Sequence, residues 1–268
     1  MEDHGRRVLT ALVLIPPVLL LVKYGTALHF YLLQSLGMVL GLFELYHLLE
    51  AKGLRPIKGW GILAGLGLSF LLFRGDGLRN LALALSLVVI GTMVLLALRG
   101  DIGGAILGGA STLFGVLYLG VLLSFPALLR GMPEGQTYIF YLFLVTWAGD
   151  TGAFYTGTLW GRHKLFPAIS PRKSVEGSLG GLASSLLASL LAKGWFWPAL
   201  SLRYCIVLGL SLGVMGQVGD LAESLLKRSL AVKDSGSLIP GHGGILDRLD
   251  SLLFTAPTMF SYVTLLGL

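Results

Sequence analysis

Nine mostly apolar stretches, each about 15 to 25 residues long and separated by short polar joints, restrict this chain to folds that live in lipid. They fall at 8–22, 27–49, 59–73, 79–98, 111–129, 137–159, 177–193, 203–228 and 245–267. A helix needs about 20 such residues to cross a bilayer. Charged residues make up 13% of the chain and hydrophobic ones 54%, whereas a soluble domain carries about 25% charged residues. With a mean hydropathy of +0.80, the predicted fold class is all-α: a polytopic integral membrane helical bundle of about nine transmembrane helices, one membrane domain over residues 1–268. The glycine-rich stretch Gly100 to Ala110 is open to assignment to a neighbouring span. Although the first run follows Arg6 and Arg7 like a signal peptide, no small-residue cleavage pattern comes after it, so it is expected to stay as the first span. The single cysteine, Cys205, lies inside an apolar run, forms no intrachain disulfide and is expected to serve packing.

The net charge of +6 does not point to nucleic acid, because the basic residues sit in the joints between apolar runs, where topology and anionic lipid account for them. With the amino terminus placed inside, Arg6, Arg7, Lys52, Arg55, Lys58, Arg99, Arg162, Lys164, Arg172, Lys173, Lys227, Arg228 and Lys233 face the cytoplasm. Lys23, Arg74, Arg79, Arg130, Lys193 and Arg203 face the other side. The bias predicts a cytoplasmic amino terminus and puts the two polar loops, 160–176 and 229–244, on the cytoplasmic side, where nucleotides are. Among the 38 glycines, Gly37 with Gly41, Gly61 with Gly65, Gly177 with Gly181 and Gly209 with Gly213 have the small-xxx-small spacing that lets helices approach closely in lipid.

Ionised carboxylates within apolar runs carry the strongest chemical signal. Asp150 stands in the run 143–154 and Asp220 in 214–223, and a charge at that depth needs a polar cavity or a partner. Pairing with a basic residue to fix helix register is the plainer alternative, stronger for Asp150 than for Asp220. From Asp220 to Asp250 the chain has its densest polar segment. Asp220, Glu223, Ser224 and Lys227 share one helix face at i, i+3, i+4 and i+7. A loop with Lys233, Asp234, Pro240, Gly241, His242, Gly243 and Gly244 follows, then Asp247 and Asp250 at i, i+3 in the first turns of the last span. The start of such a helix offers free N–H groups and a positive dipole end, which favour phosphate. At about 1.5 Å per residue, Asp247 and Asp250 lie roughly 4–8 Å from the cytoplasmic helix end, Asp220 roughly 10–12 Å and Asp150 roughly 14 Å. All four are therefore expected to meet in the inner half of the membrane. Carboxylates without Cys or His suit a hard ion such as Mg²⁺, one or two of them, rather than zinc. Metal, phosphate and lipid together point to phosphoryl-group chemistry on a membrane substrate.

The segment Ser224-Leu225-Leu226-Lys227-Arg228, followed after four residues by Lys233-Asp234-Ser235-Gly236-Ser237-Leu238-Ile239-Pro240-Gly241-His242-Gly243-Gly244-Ile245-Leu246-Asp247-Arg248-Leu249-Asp250, resembles the signature of the phosphatidate cytidylyltransferases, or CDP-diacylglycerol synthases. An upstream stretch, Ser170-Pro171-Arg172-Lys173-Ser174-Val175-Glu176-Gly177, is similar to a second segment of that family, with Arg172 and Ser174 where lysine and threonine are common. The similarity covers 137–267; over 1–136 it rests on hydropathy. The resemblance implies a Mg²⁺-dependent transfer from CTP to phosphatidate, giving CDP-diacylglycerol and pyrophosphate. No enzyme nucleophile is needed, only alignment of two anions and neutralisation of charge on the leaving group.

In that frame Asp220 and Asp247 are the expected metal ligands, with Asp250, Glu223 and Asp150 in support. Lys173, Lys227, Arg228, Lys233 and Arg248 are candidates for triphosphate and lipid phosphate, and Gly243 and Gly244 for close backbone approach to an anion. His242 is open to nucleotide contact or to loop structure, whereas His4, His29, His47 and His163 lack polar company and are expected at surfaces. The helices of 137–268 then carry catalysis in the inner cell membrane, with the site opening to the cytoplasm. Those of 1–136 serve packing or a homodimer contact. Two rivals are a CTP-dependent lipid kinase, which transfers the terminal phosphate, and an ion-coupled transporter, whose pathway carboxylates look similar. The polar cluster at one mouth, without a repeated pair of broken helices, speaks against transport.

Overall fold

In the computed structural model, which describes residues 13, 15–75, 77–236 and 243–267, the chain forms two units, Met1–Gly131 with Asp234–Arg248 and Met132–Lys233 with Leu249–Leu268. In the first unit α1 (Ile15–Tyr24) leads to α2 (Ala27–Ala51), α3 (Lys58–Arg74) and α4 (Gly77–Arg99). Thr26 caps α2 by accepting from the His29 N–H at 3.3 Å, and the exposed His29 ring accepts in return from the Thr26 N–H at 3.3 Å, which closes the cap from both sides. At the joints, Arg55 Nη1 reaches Asp101 Oδ2 at 2.8 Å, and this hydrogen bond holds the Asp101 carboxyl below its ordinary range.

Of the glycine-rich stretch, residues 105–110 join the neighbouring span, while 100–104 form the turn before it. A continuous helical path runs through α5 (Ala105–Gly115), a widened π turn (Val116–Val121), a 3-10 turn (Leu122–Ser124) and α6 (Phe125–Arg130). Pro126 sits in the first turn of α6, just after that break, where the missing N–H has no partner to lose. A Cβ on Gly120 would lie 2.8 Å from the Gly65 Cα, so α3 and the π turn touch backbone to backbone. Ala64, Leu68, Val88 and Val116 form the apolar core beside this contact. Tyr46 donates to the Thr112 carbonyl at 2.8 Å and the Trp60 indole to Thr92 at 2.9 Å, so these rings bring their polar tips in satisfied.

The second unit holds α7 (Gly135–Trp160), α8 (Val175–Trp195), α9 (Leu202–Ser229) and most of α10 (Leu246–Leu266). Small residues set its helix spacing: Gly149 and Gly152 face Ser185 and Ser184, and Gly209 and Gly213 face Ser189 and Ser185. Between α7 and α8 a short antiparallel hairpin, β1 (Lys164–Phe166) and β2 (Ser170–Ser174), pairs Lys164 with Ser174 and Phe166 with Ser170. Ser174 then caps α8 by accepting from the Gly177 N–H at 3.1 Å. Cys205 is buried, as expected of a packing residue.

Six described stretches are long and apolar enough to cross a membrane: Ala27–Ala51, Arg79–Arg99, Ala105–Arg130, Val175–Trp195, Leu202–Ser229 and Leu246–Leu266. The chain is a polytopic helical membrane protein. Nine crossings are not carried by length and hydropathy: α3 has 17 residues, and the tyrosines, threonines, glycines and Asp150 of α7 lower its hydropathy. The first expected span, 8–22, lies partly outside the described residues.

Candidate active site

In the second unit, three helices and the hairpin bring charge together around α9. The predicted face of α9 forms: Lys227 Nζ lies 2.6 Å from Glu223 Oε2, one turn apart, and Ser224 Oγ lies 3.4 Å from Asp220 Oδ1. From β2, Lys173 Nζ reaches Asp220 Oδ2 at 2.9 Å. A Cβ on Gly219 would stand 2.5 Å from the Asp250 carbonyl, so α10 lies against α9 beside Asp220. Asp250 therefore sits in the field of Asp220, Asp150 and Lys227. Ser251 ties the group to α7: its hydroxyl donates to Asp150 Oδ1 at 3.3 Å while its N–H donates to Asp250 Oδ1 at 2.7 Å. The sequence-predicted Asp150, Asp220, Glu223, Asp250, Lys173 and Lys227 thus belong to one neighbourhood.

In the first unit, Asp247 has a full set of partners. Its Oδ2 accepts from the Ser235 N–H at 2.9 Å, the Ser235 hydroxyl at 3.0 Å and the Gly244 N–H at 2.9 Å. Glu44 on α2 accepts from Ile245 N–H at Oε1, 3.0 Å, and from Leu246 N–H at Oε2, 3.1 Å. The backbone donors expected to await phosphate at the start of α10 are thus taken by two carboxylates of the chain itself, which is a correction to the sequence expectation. Gly243, with φ +79, and Gly244 do admit an anion closely, but that anion is Asp247 or Glu44. A Cβ on Gly243 would meet Asp247 Oδ2 at 2.6 Å.

The remaining basic residues separate. Arg228 donates to the carbonyls of Ile169 and Val232, each at 3.3 Å, and tethers the loops on either side. Lys233 and Arg248 are exposed. His242 lies outside the described residues. Among the described residues, no three His, Cys, Asp or Glu side chains form a ready-made metal shell.

Similarity to known proteins covers nearly the whole chain: the model of the Cytidylyltransferase family matches residues 5–266. The chain belongs to that family. Proteins named phosphatidate cytidylyltransferase are 36% identical to it in Staphylococcus haemolyticus, over 93% of this chain and 94% of the relative, and 34% identical in Bacillus subtilis, over 99% of each. A Staphylococcus aureus protein of the same name is 36% identical over 93% and 94%. The chain is thus a membrane nucleotidyltransferase. In this cytidylyltransferase the Lys227–Glu223 pair is well enclosed, with side-chain exposures of 15% and 1%. Removing one partner of such a pair strands a buried charge. Lys173 and Asp220 have side-chain exposures of 24% and 39%, with the Lys173 ammonium itself enclosed. Sequence reasoning passed over Glu44, Ser235 and Ser251. Glu44 carried a usable signal, since it too is a carboxylate inside an apolar run.

Proposed function

We propose that this cytidylyltransferase joins phosphatidate to the cytidylyl group of CTP, forming CDP-diacylglycerol and pyrophosphate. The observation that carries this reading is the gathering of Asp150, Asp220 and Asp250 with Lys173 and Lys227 on the helices of a membrane protein and their hairpin. Soluble substrates do not require a site built from such helices; a lipid phosphate does. The names of the nearly full-length relatives support the same substrates.

A phosphatidate oxygen attacks the α-phosphorus of CTP, the new O–P bond forms as the α–β P–O bond breaks, and pyrophosphate leaves with the electron pair. The carboxylates of Asp150, Asp220 and Asp250 fit Mg²⁺ by donor type, being hard oxygens that repel one another. When bound, Mg²⁺ would neutralise charge on the triphosphate. Asp220 is the main ligand in this scheme, with Asp150 and Asp250 beside it and Glu223 held apart by Lys227. Asp247 is a ligand candidate through the first unit. Lys173, on leaving Asp220, meets a phosphate, and Lys233 and Arg248 offer exposed cations for phosphate. Pyrophosphate release that requires both CTP and phosphatidate is the expected result with purified protein; release of CDP instead would reject cytidylyl transfer.

The bias in Lys and Arg supports an inner-membrane protein whose loops 160–176 and 229–244 face the cytoplasm. Single cysteines in those loops, with Cys205 replaced, should react with impermeant reagents only from the cytoplasmic side. Labelling from outside would overturn both the orientation and the access of CTP.

A further inference from the structure

Both ends of the segment leading into α10 are fastened to one carboxylate on α2. Ser235 Oγ lies 3.1 Å from Glu44 Oε2, and the N–H groups of Ile245 and Leu246 donate to the two Glu44 oxygens. The same Ser235 hydroxyl lies 3.0 Å from Asp247 Oδ2, so its single proton serves one of two acid groups at a time. The fit around Glu44 is close. A Cβ on Gly236 would stand 2.8 Å from Glu44 Oε1, and one turn back on α2 a Cβ on Gly41 would touch Ile245 at 3.6 Å.

We infer that Glu44 is a positioning residue, a fixed internal anion that staples Ser235 to the first turn of α10 and thereby sets where the Asp247 carboxylate stands. Its reach is indirect: Glu44 orders Ser235, Ile245 and Leu246, while Ser235 and Gly244 hold Asp247. The inference rests on the proposed nucleotide transfer in so far as Asp247 serves that reaction.

The test is Glu44→Gln. An amide offers one acceptor oxygen, and its NH₂ opposes the N–H of Ile245 or of Leu246, so at least one donor is stranded. Hydrogen exchange at residues 244–246 should quicken about tenfold or more, with the rest of α2 unchanged. In the same variant kcat should fall about tenfold or more while KM for CTP moves less than about threefold, because a displaced carboxylate weakens the transition state more than ground-state binding. A merely structural contact would leave kcat unchanged once the protein is folded. Unaltered exchange, or faster exchange with unaltered kcat, overturns the inference.

If Glu44→Gln does not fold, Ser235→Ala decides, since it removes the hydroxyl bridge and keeps the backbone bonds. A kcat loss of about threefold or more at an unchanged thermal midpoint supports the inference, and an unchanged kcat refutes it. Should wild-type protein make no CDP-diacylglycerol, the proposed reaction fails separately, and kcat is read on whatever CTP-dependent turnover it does show.

Discussion

Asp220→Asn should lower turnover about a thousandfold, roughly 4 kcal/mol of transition-state stabilisation, while leaving the protein folded in the membrane. The two effects differ because they draw on different interactions. Asn keeps the size of the side chain and an oxygen for Ser224, and loses only the charge that faces Lys173. The Lys173 ammonium that faces it is enclosed, but Asn still offers it an oxygen, so the loss should cost no more than about 1–3 kcal/mol of stability. The same charge would be needed in full to hold a divalent cation in the proposed reaction. Steady-state rates at saturating Mg²⁺, taken beside the thermal midpoint in detergent, check the prediction. A near wild-type rate would remove Asp220 from the metal site; a large drop in midpoint would make it a structural residue.

Lys227→Met has the opposite signature and should destabilise the protein by about 3–5 kcal/mol, because Glu223 is left charged and enclosed with 1% of its side chain exposed. Adding Glu223→Leu removes the stranded charge along with its partner, so the double variant should recover most of the lost stability. Activity should not recover with it. Once the fold is restored, the absence of an ammonium group beside the carboxylates should still hold turnover about tenfold or more below wild type. Thermal midpoints of the two single variants and the double variant measure the coupling, and turnover of the stable double variant separates charge placement from folding. If Lys227→Met is as stable as the double variant, the pair carries no structural role. If the double variant turns over normally, Lys227 carries no chemical one.

The sequence made the membrane helices legible because lipid allows so few alternatives, yet it was blind to how one of them is wound. Val116–Val121 is apolar on nearly every side, so periodicity offers no mark of a π turn, and the close approach of Gly120 to Gly65 within it is a tertiary contact. The hairpin of 164–174 was missed for another reason: its strands have three and five residues, too short for alternation to stand out. Asp150, Asp220 and Asp250 were found by the rule that a carboxylate in a span needs a purpose. The same rule applied to Glu44, which stood alone in its run while the polar density lay in 220–250. Its partners Ile245 and Leu246 are some 200 positions away, and local sequence names the donors of a helix start without naming what fills them. That is also why phosphate was assigned to a helix end that Glu44 and Asp247 already occupy.

The central claim is which phosphorus of CTP reaches the lipid, and it is tested most directly by supplying purified protein, Mg²⁺ and phosphatidate with CTP labelled at the α- or at the γ-phosphate. Cytidylyl transfer predicts α-label in the lipid fraction and γ-label in released pyrophosphate. Label from the γ position in lipid, with none from the α position, would mean terminal phosphate transfer and would contradict the proposed function.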